Sequence, residues 1–583
     1  MSYLFNKLEE FSERTIKTLK RYPMASFSAF IVTVVLINLV ELHSYPKDNI
    51  VIITLTKIAF VASLGVVLFP ALRLLKPHWL MSILGIALLA GYYYILPSDI
   101  AAQESNVFVR HLFLIVAFFI MLVWAPFALL KISNQNIWEW TQNLIVALVL
   151  AIFFSLILYA GVSLALFAIS RLFEVEIASE RYIQLAIAVF GLYGVNIFLS
   201  QVPKYVLLLQ TKSYSKAEII FTKYILTPLA FGYFFILYAY TLKVLFTMQW
   251  PKGVLAWIIV AFSLVAITTY LFWTPLCKKE NPPYKRYVWF AILFQTVMLG
   301  VAVWMRIEQY GVTESRYFIA LFGLWLAVMA LYFIIAPKAN YKWLFMSLSL
   351  LLIGSQFGKY SAAEVSWQSQ LKRLTYIIEN SQPLSNKSDL ENRYEISNII
   401  TYLYNYYGIE SLEPVMPEVV KSYQEDNTTK TKNYFPHYAT KKLGFEYVNS
   451  SLYRYKDHNR LKVYHTMRDS VDIEGYQWLK RIYSYGSKNK NISTKKNKEF
   501  DITLNGNMIV IQKKSHTYQF DLNTLIQKLV EYNSGALEPT KMEQRYESDG
   551  LKVKVLLEHI TLNKEKEINS LGMIVLVGEK ERD

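Results

Sequence analysis

The residues of this sequence with the clearest potential for binding chemistry are ionisable or aromatic groups inside or beside long apolar runs. Burying a charge in hydrocarbon is costly unless the charge is paired or reaches water, so such a residue is a candidate functional site. The candidates for contact with a ligand or a lipid are Lys57, Lys243, Trp250, Arg306, Glu308 and Arg316. Their chemistry would be the binding of an anionic ligand or lipid headgroup by cations, beside an interfacial aromatic ring.

Each candidate also has a purely structural interpretation. Lys57 lies about a third of the way into an apolar run, where it either binds an anion or a carboxylate, or extends its ammonium to the nearer membrane surface. Lys243 is nearer the end of its run, which favours the second interpretation. Lys243 and the remaining candidates either form one charged cluster at the membrane surface or anchor and cap helices, with Thr313 as an example of such a cap.

The sequence carries no recognisable catalytic or metal-binding motif. It has no H-E-x-x-H run, no G-x-S-x-G in a strand-turn-helix setting and no pair of cysteines, since Cys277 is its single cysteine. His437, His458 and His465 lack the spacing of metal ligands. We therefore predict no metal site and no cofactor, leave the catalytic residues unknown, and favour a protein that is not an enzyme.

The candidates lie in or beside apolar runs of about 20 residues. This is the length that crosses a hydrocarbon core of about 30 Å. These runs predict an all-α polytopic membrane domain over 23–358 with about eleven transmembrane helices. The predicted helices are 25–42, 50–70, 78–96, 108–130, 141–170, 181–202, 222–247, 253–273, 286–305, 315–336 and 341–358. The preceding residues 1–22 have one apolar and one charged face, which predicts an amphipathic helix at the membrane interface or one packed on a soluble partner.

The distribution of basic residues predicts the orientation in the membrane. Lysine and arginine are about twice as frequent in one set of alternate loops as in the other, which places the amino terminus in the cytoplasm. An odd number of spans then places the tail, residues 359–583, outside the cytoplasm. Since most of the net charge of +16 lies in short loops of the membrane half, it indicates topology rather than nucleic-acid binding.

The residue pattern of the tail predicts a soluble α+β domain, which is helical over 359–445 and mostly β over 446–583. Trp367, Leu371, Leu374 and Ile378 share one helix face, and 389–407 and 413–423 have helical patterns. Asn505-Gly506 between two apolar runs predicts a β-hairpin, since both residues accept the positive φ of a tight turn. Asp521 caps a predicted helix, and strands are predicted at 551–561 and 570–577, whereas Gly486–Lys498 predicts a mobile loop.

Several short runs follow one another in a recognisable order: Lys20-Arg21-Tyr22-Pro23, LYAYTLKVL with WPKG, RIEQYGVTESRYF, VSWQSQLKRL and NIITYLYNYYGIESL. In these runs the sequence resembles a bacterial family of multi-pass membrane proteins known as domain of unknown function 4153. The resemblance implies an integral protein of the bacterial inner membrane. It implies no catalytic residues.

Three functions follow from these features. The large tail and the missing catalytic motifs favour a non-enzymatic envelope scaffold or sensor whose extracytoplasmic domain binds an envelope protein. Lys57 and the charged cluster favour the alternative, a transporter or a protein that handles lipids or anions. A membrane enzyme acting on lipid-linked substrates is a third interpretation. In each case the lipid bilayer is a partner and nucleic acid is not.

Overall fold

The computed structural model describes residues 13–44, 49–97, 104–203, 214–248, 254–277, 284–336, 338–381, 390–425, 434–450, 453, 461–465, 471–485, 500–505, 507–513, 516–531, 535–548, 550–562 and 568–579. Trp250, His458, Gly506, the loop Gly486–Lys498 and the first turns of the predicted interfacial helix lie outside these ranges. The chain forms two compact units. One comprises Met1–Thr375 and Tyr402–Val420, and the other comprises Tyr376–Thr401 and Lys421–Asp583.

The first unit is a bundle of apolar helices. In chain order they are residues 13–21 (α1), Pro23–Glu41 (α2), Ile50–Arg73 (α3), His78–Ile95 (α4), Glu104–Trp124 (α5), Asn134–Leu172 (α6), Ser179–Gln201 (α7), Lys216–Thr247 (α8), Val254–Phe272 (α9), Tyr284–Tyr310 (α10), Glu314–Ile335 (α11) and Tyr341–Gly354 (α12). Within the described residues, the ten helices α2 to α11 are long and apolar enough to cross a membrane. The prediction of a polytopic helical domain is therefore confirmed.

The helix α12 is shorter than the predicted span 341–358, with 14 residues. Its first residue lies at one end of the bundle, where the Tyr341 amide donates to Asn134 Oδ1 at 2.9 Å. The turn after it lies beside the start of α11, where the Tyr317 hydroxyl donates to the carbonyl of Tyr360 at 2.6 Å. Helix and turn together therefore extend along the full length of α11.

Aromatic side chains form much of the core of this bundle, while apolar side chains also cover its outer surface. Trp138, Trp140 and Trp289 are fully buried. By contrast, Phe235 is 76% exposed and Trp304 is 68% exposed. Helices that are apolar on both their inner and outer faces are typical of a membrane domain, because lipid rather than water covers the outer face.

The helix α13 (Ala362–Asn380) clamps the turn between α10 and α11. Gln370 Nε2 donates to the carbonyls of Tyr310 and Val312 at 3.0 and 2.9 Å, and the Ser369 hydroxyl accepts from the Val312 amide at 2.8 Å. In the predicted apolar face of α13, Leu374 is fully buried, whereas Trp367 is only half-buried and the polar Gln370 is buried as well. The reason is that Gln370 gains hydrogen bonds that satisfy its amide group.

Tyrosines from the end of the helix α14 (Leu390–Tyr407) complete this clamp. The Tyr407 hydroxyl donates to Glu314 Oε1 at 3.1 Å, and the Tyr402 hydroxyl accepts from the Glu314 amide at 3.2 Å. Glu314 is the first residue of α11 and is 5% exposed. A carboxylate in the first turn of a helix is favourable because the helix dipole is positive there.

The second unit contains helices and two sheets, which confirms the α+β prediction. Its other helices are Pro417–Glu425 (α15, which begins in the first unit), Phe435–Lys442 (α16) and Asn523–Glu531 (α17). Its strands are Leu461–His465 (β1), Trp478–Tyr485 (β2), Phe500–Asn505 (β3), Met508–Lys513 (β4), His516–Asp521 (β5), Gly535–Leu537 (β6), Glu543–Ser548 (β7), Leu551–Leu562 (β8) and Ile568–Glu579 (β9).

The sheets are mainly antiparallel. One has the order β2-β9-β8-β1-β6 with β7 on β8, and the other has the order β3-β4-β5. Among the described strands, β1 and β6 pair in parallel and the other pairs are antiparallel. The predicted hairpin is present, with Asn505 opposite Met508. Asp521 accepts the Asn523 amide at 2.8 Å at the start of α17. The predicted strands 551–561 and 570–577 correspond to β8 and β9.

Candidate functional site

Lys57, the predicted cation within an apolar run, contacts the end of a neighbouring helix. Its Nζ donates to the carbonyl of Leu96 at 3.0 Å, just after α4, and lies 5.6 Å from the ring centre of Tyr93. A helix carbonyl end is negatively polarised, so a lysine there is favourable without any ligand. This contact agrees with the structural interpretation of Lys57, and contact with a ligand stays a prediction.

Two arginines of the predicted cluster at the membrane surface lie beside the same aromatic ring. Arg306 and Arg316 lie 5.7 and 5.5 Å from the ring centre of Tyr310. Lys243 and Glu308 are both exposed on their helices. Thr313 does occupy the cap position of α11, but its side chain makes no capping hydrogen bond.

A cavity of about 680 Å³ lies between α8, α9 and α10. In the wall of this cavity α8 contacts α10, where the Tyr238 hydroxyl donates to the carbonyl of Ala291 at 3.0 Å and the rings of Tyr238 and Phe294 stack at 5.5 Å. Its lining includes Phe231 and Tyr287, which are 70% and 71% exposed, so the cavity opens on the lipid-facing side of the bundle.

Lys285 lies in the wall of this cavity and is only 3% exposed. Its Nζ donates to the Tyr341 hydroxyl at 2.9 Å and to the Thr274 hydroxyl at 3.3 Å. The same nitrogen lies 4.3 Å from the ring centre of Tyr270, which is a cation–π contact. Among the described residues, no carboxylate forms an ion pair with Lys285. Within the described part of the chain the ammonium is thus held by neutral groups, which is unusual because buried charges are normally paired.

A local change of helix geometry shapes the same end of the cavity. Residues Phe221–Leu226 form a π-helical turn directly before Pro228, which has no amide hydrogen. The Thr227 hydroxyl donates to the carbonyl of Thr222 at 2.6 Å and accepts from Trp273 Nε1 at 2.8 Å. Thr227 and Trp273 both line the cavity. Single π-helical turns are frequent at functional sites.

A second cavity, of about 430 Å³, lies beside α6 and α7. Its lining is apolar apart from Ser155, and it includes Phe119 and Phe198. It therefore has no charged group to orient a ligand. Across the described residues there is also no group of three or more histidine, cysteine, aspartate or glutamate side chains placed to hold a metal ion.

The sequence analysis missed Lys285 as a site residue because the residue stands in a basic loop-like stretch, where it contributes to the predicted orientation. Its partners Tyr270 and Tyr341 are distant along the chain, and no local spacing connects them. The one available signal was the high density of aromatic residues around Lys285, in the stretch YKRYVWF.

The fold and this cavity define a polytopic helical membrane protein with a carboxy-terminal α+β region. The chain belongs to the family described as domain of unknown function (DUF4153), whose model matches residues 56–380. It is also similar to the uncharacterized protein PM1469 of Pasteurella multocida (strain Pm70), with 22% identity over 561 residues, which cover 94% of this chain and 91% of the relative. No solved structure matches the chain significantly.

Proposed function

We propose that this protein binds an anionic, lipid-like amphiphile in the cavity between α8, α9 and α10, and that it is a lipid-handling protein of the bacterial inner membrane. The observation that carries the proposal is the burial of Lys285 at one end of an apolar cavity that opens towards lipid. An apolar chain would occupy the cavity, and an acidic head would lie beside Lys285.

The size and lining of the cavity support this ligand class. Sites for small molecules are typically about 300–1,000 Å³, mostly apolar, with a few polar groups that fix the orientation of the ligand. The cavity of about 680 Å³ fits this range, with Phe231, Phe234 and Tyr238 in its apolar wall and Lys285 and Thr227 as polar groups. A lateral opening allows a ligand to enter from the bilayer rather than from water.

The orientation proposed from the loop charges places Lys285 near the cytoplasmic face. The amino terminus is then cytoplasmic, and the α+β region is extracytoplasmic. The extent of α12 along α11 supports counting α12 as a crossing, which gives an odd total of spans. In this arrangement the acidic head of the ligand faces the cytoplasmic leaflet.

The proposal is tested by filling the cavity. Ala230 is 4% exposed and lines the cavity, so Ala230→Trp places an indole where the ligand chain would lie. We expect native mass spectrometry of the protein, purified in a mild detergent, to detect a bound amphiphile in the wild type and to lose it in Ala230→Trp.

The matched control is Ala151→Trp, which fills the second cavity, because Ala151 is 3% exposed and lines it. This variant should retain the amphiphile. Equal retention by both variants, or a wild-type protein that takes up no amphiphile even from an added mixture of bacterial lipids, contradicts the proposed function.

A second candidate function is the envelope scaffold or sensor. It is favoured by the clamp of α13 on the turn between α10 and α11, which links the segment after the membrane domain to the bundle itself. In this function an envelope protein binds the carboxy-terminal domain. This function is tested by crosslinking in cells, with the wild type compared with Gln370→Ala. The crosslinked partner should be lost or altered in the variant. An unchanged partner argues against a signal that passes through the clamp.

A further inference from the structure

A small pocket lies between the start of α2, the end of α3 and the first turns of α4. It has a volume of about 30 Å³, which is room for one or two groups of the size of a water molecule. Its lining includes Tyr22, Met24 and Ala25 at the start of α2, Arg73 at the end of α3, and Ser82 in α4. None of these residues lines the cavity beside Lys285, so the pocket is a separate feature of the bundle.

The start of α2 presents backbone donors to this pocket. Pro23 occupies the first turn, and no side chain caps the helix. The carbonyl of Tyr22 accepts the amide of Ser26 at 3.0 Å, which is the first hydrogen bond of the helix. Within the described residues, the amides of Met24 and Ala25 donate to no backbone carbonyl. Free amides and the helix dipole make the start of a helix favourable for an anion.

The Tyr22 side chain adds a donor that is buried. Tyr22 is 2% exposed, and its hydroxyl has no hydrogen-bond partner in the described part of the chain. Such a hydroxyl costs free energy, because it gives up its hydrogen bonds to water on folding. Burial also raises the pKa of the Tyr22 hydroxyl, so the group keeps its proton and is able to donate it. A ligand oxygen in the pocket would accept this hydrogen bond and remove the cost.

Two arginines give the pocket a positive charge. Arg73 lines it, and Arg21 lies over the ring of Tyr22, with its guanidinium carbon 4.8 Å from the ring centre. Both charges act on the Tyr22 hydroxyl, since both oppose the rise of its pKa that burial causes. Residues 14–40 and 50–97, which cover most of α1 and α2 and all of α3 and α4, include no aspartate or glutamate. Among the ion pairs of the described residues, none involves Arg21 or Arg73. An anion in the pocket would supply the counter-charge.

We propose that this pocket binds a phosphate oxygen of an anionic membrane lipid. Arg73 holds the phosphate through charge-assisted hydrogen bonds, and the Tyr22 hydroxyl and the start of α2 donate to the same group. Basic pockets between transmembrane helices are typical sites for anionic headgroups. Exposed apolar side chains near the starts of the same helices favour a lipid over a soluble phosphate compound, since Phe27 in α2 is 61% exposed and Trp79 in α4 is 68% exposed. These side chains would contact the acyl chains of the lipid.

The test measures thermal unfolding of the full-length protein in an uncharged detergent, with either phosphatidylglycerol or inorganic phosphate added. A ligand that binds the folded state raises the midpoint of unfolding. All proteins carry Lys285→Met, so that binding in the cavity does not contribute. Phosphatidylglycerol should raise the midpoint, and inorganic phosphate at the same concentration should raise it less, because it makes no apolar contacts. An equal or larger effect of inorganic phosphate overturns the assignment to a lipid.

Two variants locate the effect at the pocket. Arg73→Gln should bind phosphatidylglycerol about tenfold more weakly, because a charge-assisted contact is lost, and Arg73→Lys should retain part of the binding. Tyr22→Phe keeps the ring and should weaken binding by about two- to tenfold. Without lipid, the midpoint of Tyr22→Phe should equal or exceed that of the parent protein, because the variant removes a buried hydroxyl that has no partner. A role in packing alone would not give this combination.

The matched control is Lys216→Gln, which removes an exposed cation at the start of α8, outside the pocket. It should keep the full shift of the midpoint by phosphatidylglycerol. The proposal is overturned if Arg73→Gln and Tyr22→Phe keep the same shift as Lys216→Gln, or if phosphatidylglycerol does not shift the parent protein. A lower midpoint of Tyr22→Phe without lipid, together with an unchanged lipid shift, also overturns it, because the hydroxyl would then serve the fold alone.

Discussion

Replacing Lys285 with methionine separates the binding role of this residue from its structural role. Methionine has a similar length and no charge, so it fills the space of the lysine without its ammonium. The Tyr341 and Thr274 hydroxyls remain hydrogen-bonded to each other at 2.8 Å, so the substitution leaves neither of them without a partner. A loss of binding by Lys285→Met would therefore not result from a collapsed wall.

The expected magnitudes follow from these contacts. Replacing buried charged groups with apolar groups of similar volume is often neutral or stabilising by about 1–4 kcal/mol, so the free energy of unfolding of the empty protein should be unchanged or raised. A hydrogen bond to a charged group contributes about 1.5–3 kcal/mol. Loss of the contact with an acidic head should therefore weaken binding by about ten- to a hundredfold.

The assay is an equilibrium competition in which palmitic acid and its methyl ester displace a labelled fatty acid from the purified protein. The wild type should prefer the acid, and Lys285→Met should bind the acid and the ester equally. The exposed Lys243 provides the control, because Lys243→Met should keep the preference of the wild type. If Lys285→Met retains the full preference for the acid, the role assigned to the buried ammonium is refuted.

Three further predictions concern the contacts that hold the two ends of the bundle. Gly311 has a φ of +69°, and a Cβ added there would lie 2.8 Å from Gln370 Nε2. Gly311→Ala should therefore lower the free energy of unfolding by about 1–2 kcal/mol or more, measured by thermal unfolding. The control is Gly300→Ala, which should not destabilise the protein because a Cβ added at Gly300 has no neighbouring atom within 4 Å. Burial raises the pKa of Tyr402 from 10.0 to about 12. The folded state thus favours the neutral phenol, so the contribution of Tyr402 to stability is complete below pH 10 and is lost as pH rises towards 12. In Tyr402→Phe, the free energy of unfolding should lack this loss between pH 10 and 12. Asn134→Ala removes the acceptor of the Tyr341 amide and a donor to the Ala339 carbonyl, and it should lower the free energy of unfolding by about 1–3 kcal/mol, measured in denaturant.

The sequence could predict only part of the arrangement of arginines around Tyr310. Arg306 and Arg316 lie within one short run around a turn, so their proximity follows from local spacing. Arg373, which lies 5.7 Å from the centre of the Tyr310 ring, joins them only through the docking of α13, which depends on the amide of Gln370 finding the carbonyls of Tyr310 and Val312. No helical pattern in α13 predicts that a polar residue is buried for this reason.

The environment of Lys57 likewise could not be predicted from the sequence. The sequence identified a cation where hydrocarbon is expected, and the structure places its ammonium at the carbonyl of Leu96. Lys285 is the reverse case, because its basic surroundings predict a loop whereas its Nζ is enclosed by Tyr270, Thr274 and Tyr341. In both cases the environment of the charge depends on residues from other helices.

The sequence by itself determined the class of protein and the order of its parts. Runs of about 20 apolar residues must form helices in a membrane, since only a helix satisfies the backbone hydrogen bonds of an isolated span. Alternating patterns and an Asn-Gly turn likewise determined the hairpin β3–β4. Only the tertiary structure decided which helices line a cavity and which residues surround each cation. The physical reason is that lipid-facing and protein-facing apolar side chains are chemically alike, so the pattern does not specify how the helices pack.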